Sequence, residues 1–75
     1  MERIITVGKT YKHFSGKNYI VLMIVRDSET LEDIVIYESL YDHVIWARPY
    51  DKFNAKMDKK KHPDIEQEYR FEQID

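Results

Sequence analysis

Eight consecutive residues, Tyr19-Ile20-Val21-Leu22-Met23-Ile24-Val25-Arg26, are apolar on both alternations up to the closing arginine. A strand with one wet face alternates apolar and polar side chains. Unbroken apolarity therefore predicts cover on both faces, as in a closed or partly closed barrel. A buried helix also tolerates such a run, but the β-branched content and strand-sized length favour β. The preceding Ser15-Gly16-Lys17-Asn18 is the clearest turn in the chain, with Gly16 free to take positive φ.

The rest of the chain falls into short pieces of similar kind. Ile4-Ile5-Thr6-Val7 is expected to pair as an edge strand or to remain a tail, and Gly8 breaks it. Thr10 to Phe14 predicts a strand. Asp27-Ser28-Glu29-Thr30 is a turn whose Asp and Ser can bond their own backbone. Leu31 to Glu38 predicts a third main strand, with Asp33, Val35 and Tyr37 on one face and Ile34 and Ile36 on the other. A fourth, Val44 to Arg48, ends at Pro49, which cannot donate to a ladder. Its apolar residues, Val44 to Ala47, are assigned to barrel packing.

Tyr50, Phe53 and Met57 recur at i, i+3 and i+7, which predicts one or two helical turns after Pro49. A polar loop around Lys59-Lys60-Lys61, spanning 58–66, is expected to be the most mobile part. Glu68 to Glu72 predicts a last strand with Tyr69 and Phe71 facing one way. The order fits a single all-β domain over 1–75. It is a small SH3-like barrel of about five strands, with a short helical turn before the last.

Composition narrows the function classes. Seventy-five residues without cysteine leave no disulfide framework and no thiolate chemistry. A small domain without disulfides suits a reducing compartment. No apolar run is long enough for a membrane span, and the N-terminus lacks the apolar region of a signal peptide, so a cytoplasmic protein is expected. Twelve basic against fourteen acidic residues give a net charge of −2, without the basic excess of a nucleic-acid binder.

Several segments carry a resemblance. They are Tyr11-Lys12-His13-Phe14-Ser15-Gly16, Tyr19 with Val21-Leu22, Arg26-Asp27-Ser28-Glu29-Thr30, Val35-Ile36-Tyr37, Leu40-Tyr41, and Trp46-Ala47-Arg48-Pro49 with Phe53. Together these resemble the bacterial domain of unknown function 1653 family, over roughly residues 8 to 53. The resemblance implies a single SH3-like barrel and no particular activity. The family usually has His where Asp27 stands, Gly where Asp42 stands and Met where Lys52 stands. Any role of that His is absent from this chain.

Two groups could recognise a ligand. Arg26, Glu29, Glu38 and Arg48 could grip an anion through the planar guanidinium fork, but an internal ion-pair network is the favoured reading. Tyr37, Tyr41, Trp46 and Tyr50 could line an aromatic groove for an extended peptide or for stacked bases. Trp46 is expected in the core, because one large ring supplies much of the burial in so small a chain. Tyr41, in a turn, is expected to be exposed.

His13, His43 and His62 have no metal-ligand spacing, and two isolated glycines make no phosphate loop. No cofactor and no enzymatic activity are expected. The function expected is a non-enzymatic protein- or peptide-interaction module, with Arg26, Glu29, Tyr41, Trp46, Arg48 and Tyr50 as candidate binding residues. Alternatives are single-stranded nucleic-acid binding and a small anionic-ligand site around Arg26, Glu29 and Arg48. A monomer or weak homodimer with an unknown partner completes the expectation.

Overall fold

The computed structural model describes residues 3–75. Five antiparallel strands form one sheet in the order β4-β3-β2-β1-β5. They are β1 (Thr10–His13), β2 (Asn18–Arg26), β3 (Asp33–Ser39), β4 (Ile45–Pro49) and β5 (Phe71–Gln73), with one helical turn, α1 (Tyr50–Phe53), between the last two. The fold is all-β, with the strand number and helical turn of a small SH3-like barrel. The ladder does not close, for β4 and β5 are the two edges of the sheet.

The apolar run of β2 is explained by a bulge. Val21 pairs with Tyr37 and Met23 with Ile36, so Leu22 is an extra residue with no partner. The bulge lets Val21 and Ile24 both face inward and sharpens the local twist. Cover on both faces, expected for this run, is not found. Met23 stands outside at 50% exposure and Val25 beside it is exposed too.

Both turns that bracket β3 follow one pattern. Asp27 N–H donates to the Glu32 carbonyl and Leu31 N–H to the Asp27 carbonyl, each at 2.8 Å. Ser39 N–H donates to Val44 at 2.9 Å and His43 N–H to Ser39 at 2.8 Å. In each, the fourth loop residue turns left-handed, Leu31 at φ 63° and His43 at φ 60°. The first residue caps the loop with its side chain. Asp27 Oδ1 accepts from Glu29 N–H at 2.8 Å and Thr30 N–H at 3.1 Å. Ser39 Oγ accepts from Tyr41 N–H at 3.3 Å. The turn before β2 is shorter, and Gly16 supplies its positive φ of 99° as expected.

The core is mostly aromatic. Tyr11, Phe53, Phe71, Val21 and Val35 are fully buried, with Ile5 and Tyr37 beside them. Phe53 of α1 stacks on Phe71 of β5 at 4.1 Å between ring centroids and 12° between planes. Tyr11, Tyr37 and Tyr19 meet this pair edge-on. The large ring expected there, Trp46, is 49% exposed. It lies on β4, an edge strand with a neighbour on one side only, which leaves the ring half covered. For the same reason Val44, Ile45 and Ala47, expected to fill a barrel, are exposed.

Segment boundaries shift in several places, and β3 begins at Asp33 because Leu31, expected to open it, closes the β2–β3 turn. Residues 4–7 form no strand. Ile5 instead plugs the core, its N–H donating to Tyr50 Oη at 2.9 Å and that of Thr6 to Tyr11 Oη at 2.9 Å. The helix stops after one turn, so Met57 reaches its buried place from an extended segment. There Lys56 bridges Tyr69, and Met57 N–H donates to the Glu68 carbonyl at 2.8 Å. The last strand begins at Phe71 rather than Glu68.

Candidate functional site

The inner face of the curled sheet is only partly filled. Cross-strand pairing puts Tyr37 beside Trp46, Val35 beside Arg48, and His13 beside Phe71 on that face. Near the open side of the sheet these residues bound a cleft of about 200 Å³, lined by His13, Tyr19, Tyr37, Trp46, Arg48 and Phe71. All five strands contribute to it. Aromatic rings form most of its wall, and among the described residues Arg48 is the one Lys or Arg that lines it.

Arg48 is held by two ring systems. Its Nε donates to Tyr37 Oη at 3.2 Å, and its Cζ lies 5.5 Å from the Phe71 centroid. Among the described residues no carboxylate forms an ion pair with it. His13 completes the polar lining. Its Nδ1 accepts the Ser15 backbone N–H at 3.1 Å and lies 2.8 Å from Ser15 Oγ. A nitrogen that accepts from a backbone N–H carries no proton, so the neutral ring bears its proton on Nε2. Burial holds the His13 pKa below its usual value, helped by the positive charges of Arg48 and Arg70. The imidazole is therefore a neutral donor at neutral pH.

The edge beside the cleft is open. Ser39 N–H bonds the Val44 carbonyl, which makes 39 and 44 a hydrogen-bonded pair. In an antiparallel ladder such pairs alternate. Trp46 and Arg48 then bond to β3, while Ile45 and Ala47 turn their N–H and C=O groups away from it. Pro49 follows in the outward row and lacks an N–H. Ile45, at 61% exposure, and Ala47 carry no charge that would discourage another strand.

The other candidate residues lie elsewhere. Arg26 pairs with Asp33 at 3.6 Å, both largely exposed. Glu29 belongs to the β2–β3 turn, where its backbone N–H bonds Asp27. Neither lines the cleft that holds Arg48, so the grouping of Arg26, Glu29 and Arg48 is not assembled by the fold. Glu38, read with them as a possible network, bonds His43 Nδ1 at 2.8 Å instead. Tyr41 is 80% exposed as expected, with Lys17 Nζ 5.5 Å from its ring centroid. It stands at the β3–β4 turn and does not line the cleft. Tyr50 faces a separate hollow of about 330 Å³ with Arg3, Asp51, Asn54, Lys56 and Tyr69. There Arg3 lies 3.8 Å over the Tyr69 ring, its Nε bonded to Asn54.

Of the six candidate binding residues the cleft brings together Trp46 and Arg48, and it adds His13, Tyr19 and Phe71, which sequence reasoning did not place with them. The missed residues come from β1, β2 and β5, and only the curl of the sheet brings them to β4. The Lys59-Lys60-Lys61 run is partly consumed within its own loop. Lys59 Nζ bonds the carbonyls of Ile65 at 2.6 Å and Gln67 at 2.9 Å. Among the described residues no group of three or more His, Cys, Asp or Glu is placed to hold a metal ion, and no helix is long and apolar enough to cross a membrane.

Residues 9–73 match a family described as protein of unknown function (DUF1653). The chain belongs to the DUF1653 family. The match runs well past Phe53, so the Lys59–Lys61 loop and β5 are parts of the family pattern. No curated protein and no solved structure matches the chain. At position 27, where the resemblance puts a His in DUF1653 proteins, the Asp of this chain caps the β2–β3 turn. Bonds from Thr30 N–H and then Glu29 N–H hold its pKa below the usual carboxylate value.

Proposed function

We propose that this DUF1653 chain is a non-enzymatic interaction module that takes an extended segment of a partner protein along β4. The observation that carries this reading is the coincidence of two features on one strand. Ile45 and Ala47 offer an unpaired backbone row, and Trp46 and Arg48 face the aromatic cleft. Strand addition gives affinity through the main chain, and pockets for alternate side chains give selectivity. Among the described residues the cleft lining has no carboxylate and one imidazole, whose Nδ1 is engaged by Ser15, a poor set for general acid–base chemistry.

Nucleic-acid binding is the weaker reading. The net charge is −2, and Lys59 turns its ammonium inward to carbonyls. Capture from a lysate by immobilised wild-type and variant chains tests the proposal. Partners retained by the wild type and by Tyr41→Ala should be lost with Trp46→Ala and with Arg48→Gln. Equal capture by all four chains removes β4 and its cleft as the binding site.

A further inference from the structure

We infer that the cleft selects a carboxylate, gripped by Arg48, on a peptide that carries an apolar side chain two residues away. This inference rests on the reading of β4 as a peptide-binding edge and adds the chemistry of the ligand.

Charge comes first. Arg48 has a hydroxyl and a ring for partners, but no acid among the described residues neutralises it. Its guanidinium has five N–H donors, and only the Nε one is engaged by Tyr37. The remaining fork matches a carboxylate in a bidentate manner. His13 adds a neutral N–H donor to the same lining, and Arg70 is close enough to add positive potential around it. An aromatic cage of this kind would otherwise suit a quaternary ammonium group. Here a cation already lies over the Phe71 ring, so a second cation would be repelled.

Spacing comes next. Trp46 and Arg48 are two residues apart on one strand and share the inner face. A strand added to β4 presents its own side chains to that face with the same period. One position meets Arg48 and the position two away meets the half-exposed Trp46 ring. The ligand pattern is therefore acidic, any residue, apolar, in either chain direction. A nucleic acid has anionic groups as well, but it cannot use the outward row of Ile45 and Ala47, and the acidic balance of the chain repels a polyanion.

Trp46 is the only tryptophan in the chain, so its emission reports the cleft directly. The probe is a set of short blocked peptides of sequence Thr-Glu-Thr-Leu-Thr, with Gln or Lys in place of Glu. A further Gln peptide ends in a free carboxylate. On the wild-type chain the Glu peptide should bind about tenfold more tightly than the Gln peptide, the difference expected when a charge-assisted hydrogen bond is gained. A similar gain for the free-acid peptide over its amide assigns the carboxylate to a chain terminus instead of a side chain, and equally supports the inference.

The Arg48→Gln chain should lose the preference while still binding the Gln peptide, and Arg48→Lys should keep part of it. Equal affinity for the Glu, Gln and free-acid peptides overturns the carboxylate assignment and leaves the peptide site standing. Preference for the Lys peptide overturns it as well. Unchanged emission with every peptide removes the peptide site itself, and the inference with it. Displacement of bound Glu peptide by a thymidine oligonucleotide at equal charge concentration would reassign the site to nucleic acid.

Discussion

The Phe53 ring lies flat on the Phe71 ring, 4.1 Å between centroids, and joins the single helical turn to the last strand. This contact does what hydrogen bonds between β4 and β5 would do in a closed barrel. It ties the two ends of an open sheet together through side chains, with α1 as the strap.

Truncating either ring should therefore unfold much of the population. Phe53→Ala or Phe71→Ala is expected to cost about 3–5 kcal/mol. That is comparable with the whole stability of a chain of this length, roughly 4–11 kcal/mol. Trp46→Ala, at a half-exposed edge position, should cost no more than about 1 kcal/mol. Urea denaturation followed by circular dichroism checks the contrast, and a larger loss for Trp46→Ala would contradict the placement of the core.

Leu31 sits left-handed at φ 63° with its side chain mostly in solvent. A side chain in that region costs about 1 kcal/mol that glycine avoids. Leu31→Gly should raise stability by about that amount, while Leu31→Ala should not. The urea midpoints of the two variants decide it. His43 occupies the equivalent place, but its bond to Glu38 makes it the less clean test.

Tyr50→Phe removes the acceptor of the Ile5 N–H. The expected cost is about 1 kcal/mol. Amide exchange gives the sharper readout, since protection at Ile5 should fall while that at Val35 follows global stability. Tyr11→Phe should act in the same way on Thr6.

His13 sets a direction for pH dependence. Its folded pKa is lowered, by burial first and by Arg48 and Arg70 next. Between that value and the usual one of about 6.5, the unfolded chain binds more protons than the folded chain. The contribution is fully present above the usual value and is lost as the pH falls below it. Protonation at Nδ1 would also break the Ser15 N–H bond. His13→Gln should flatten the dependence of stability on pH between about 7 and 5. An unchanged slope would contradict the burial of the ring.

The fold class, the strand count and the local turns were legible in the sequence, and which faces the sheet covers was not. Gly16 announced its turn, Pro49 the end of β4, and the alternation of Val35 and Tyr37 their common face on β3, which the structure shows to be the buried one. The apolar run of β2 misled because a bulge at Leu22 shifts its pattern by one, and nothing in the composition of the run marks that residue. Trp46 misled because ring size predicts burial only where a neighbour exists to cover it, and strand order decides that. The candidate site was half legible for the same reason. Trp46 and Arg48 lie two apart in sequence, whereas His13 and Phe71 are strand partners 58 positions apart.

That pairing of β1 with β5 also fixes when the chain can fold. Strands β2 to β4 follow one another through short turns and can meet as soon as they are made. The core cannot close until Phe71 has left the ribosome, because only then does Phe53 gain its stacking partner and β1 its second neighbour. Nascent chains halted before that residue would carry the whole meander, with its aromatic side still wet, and would be the natural clients of a chaperone.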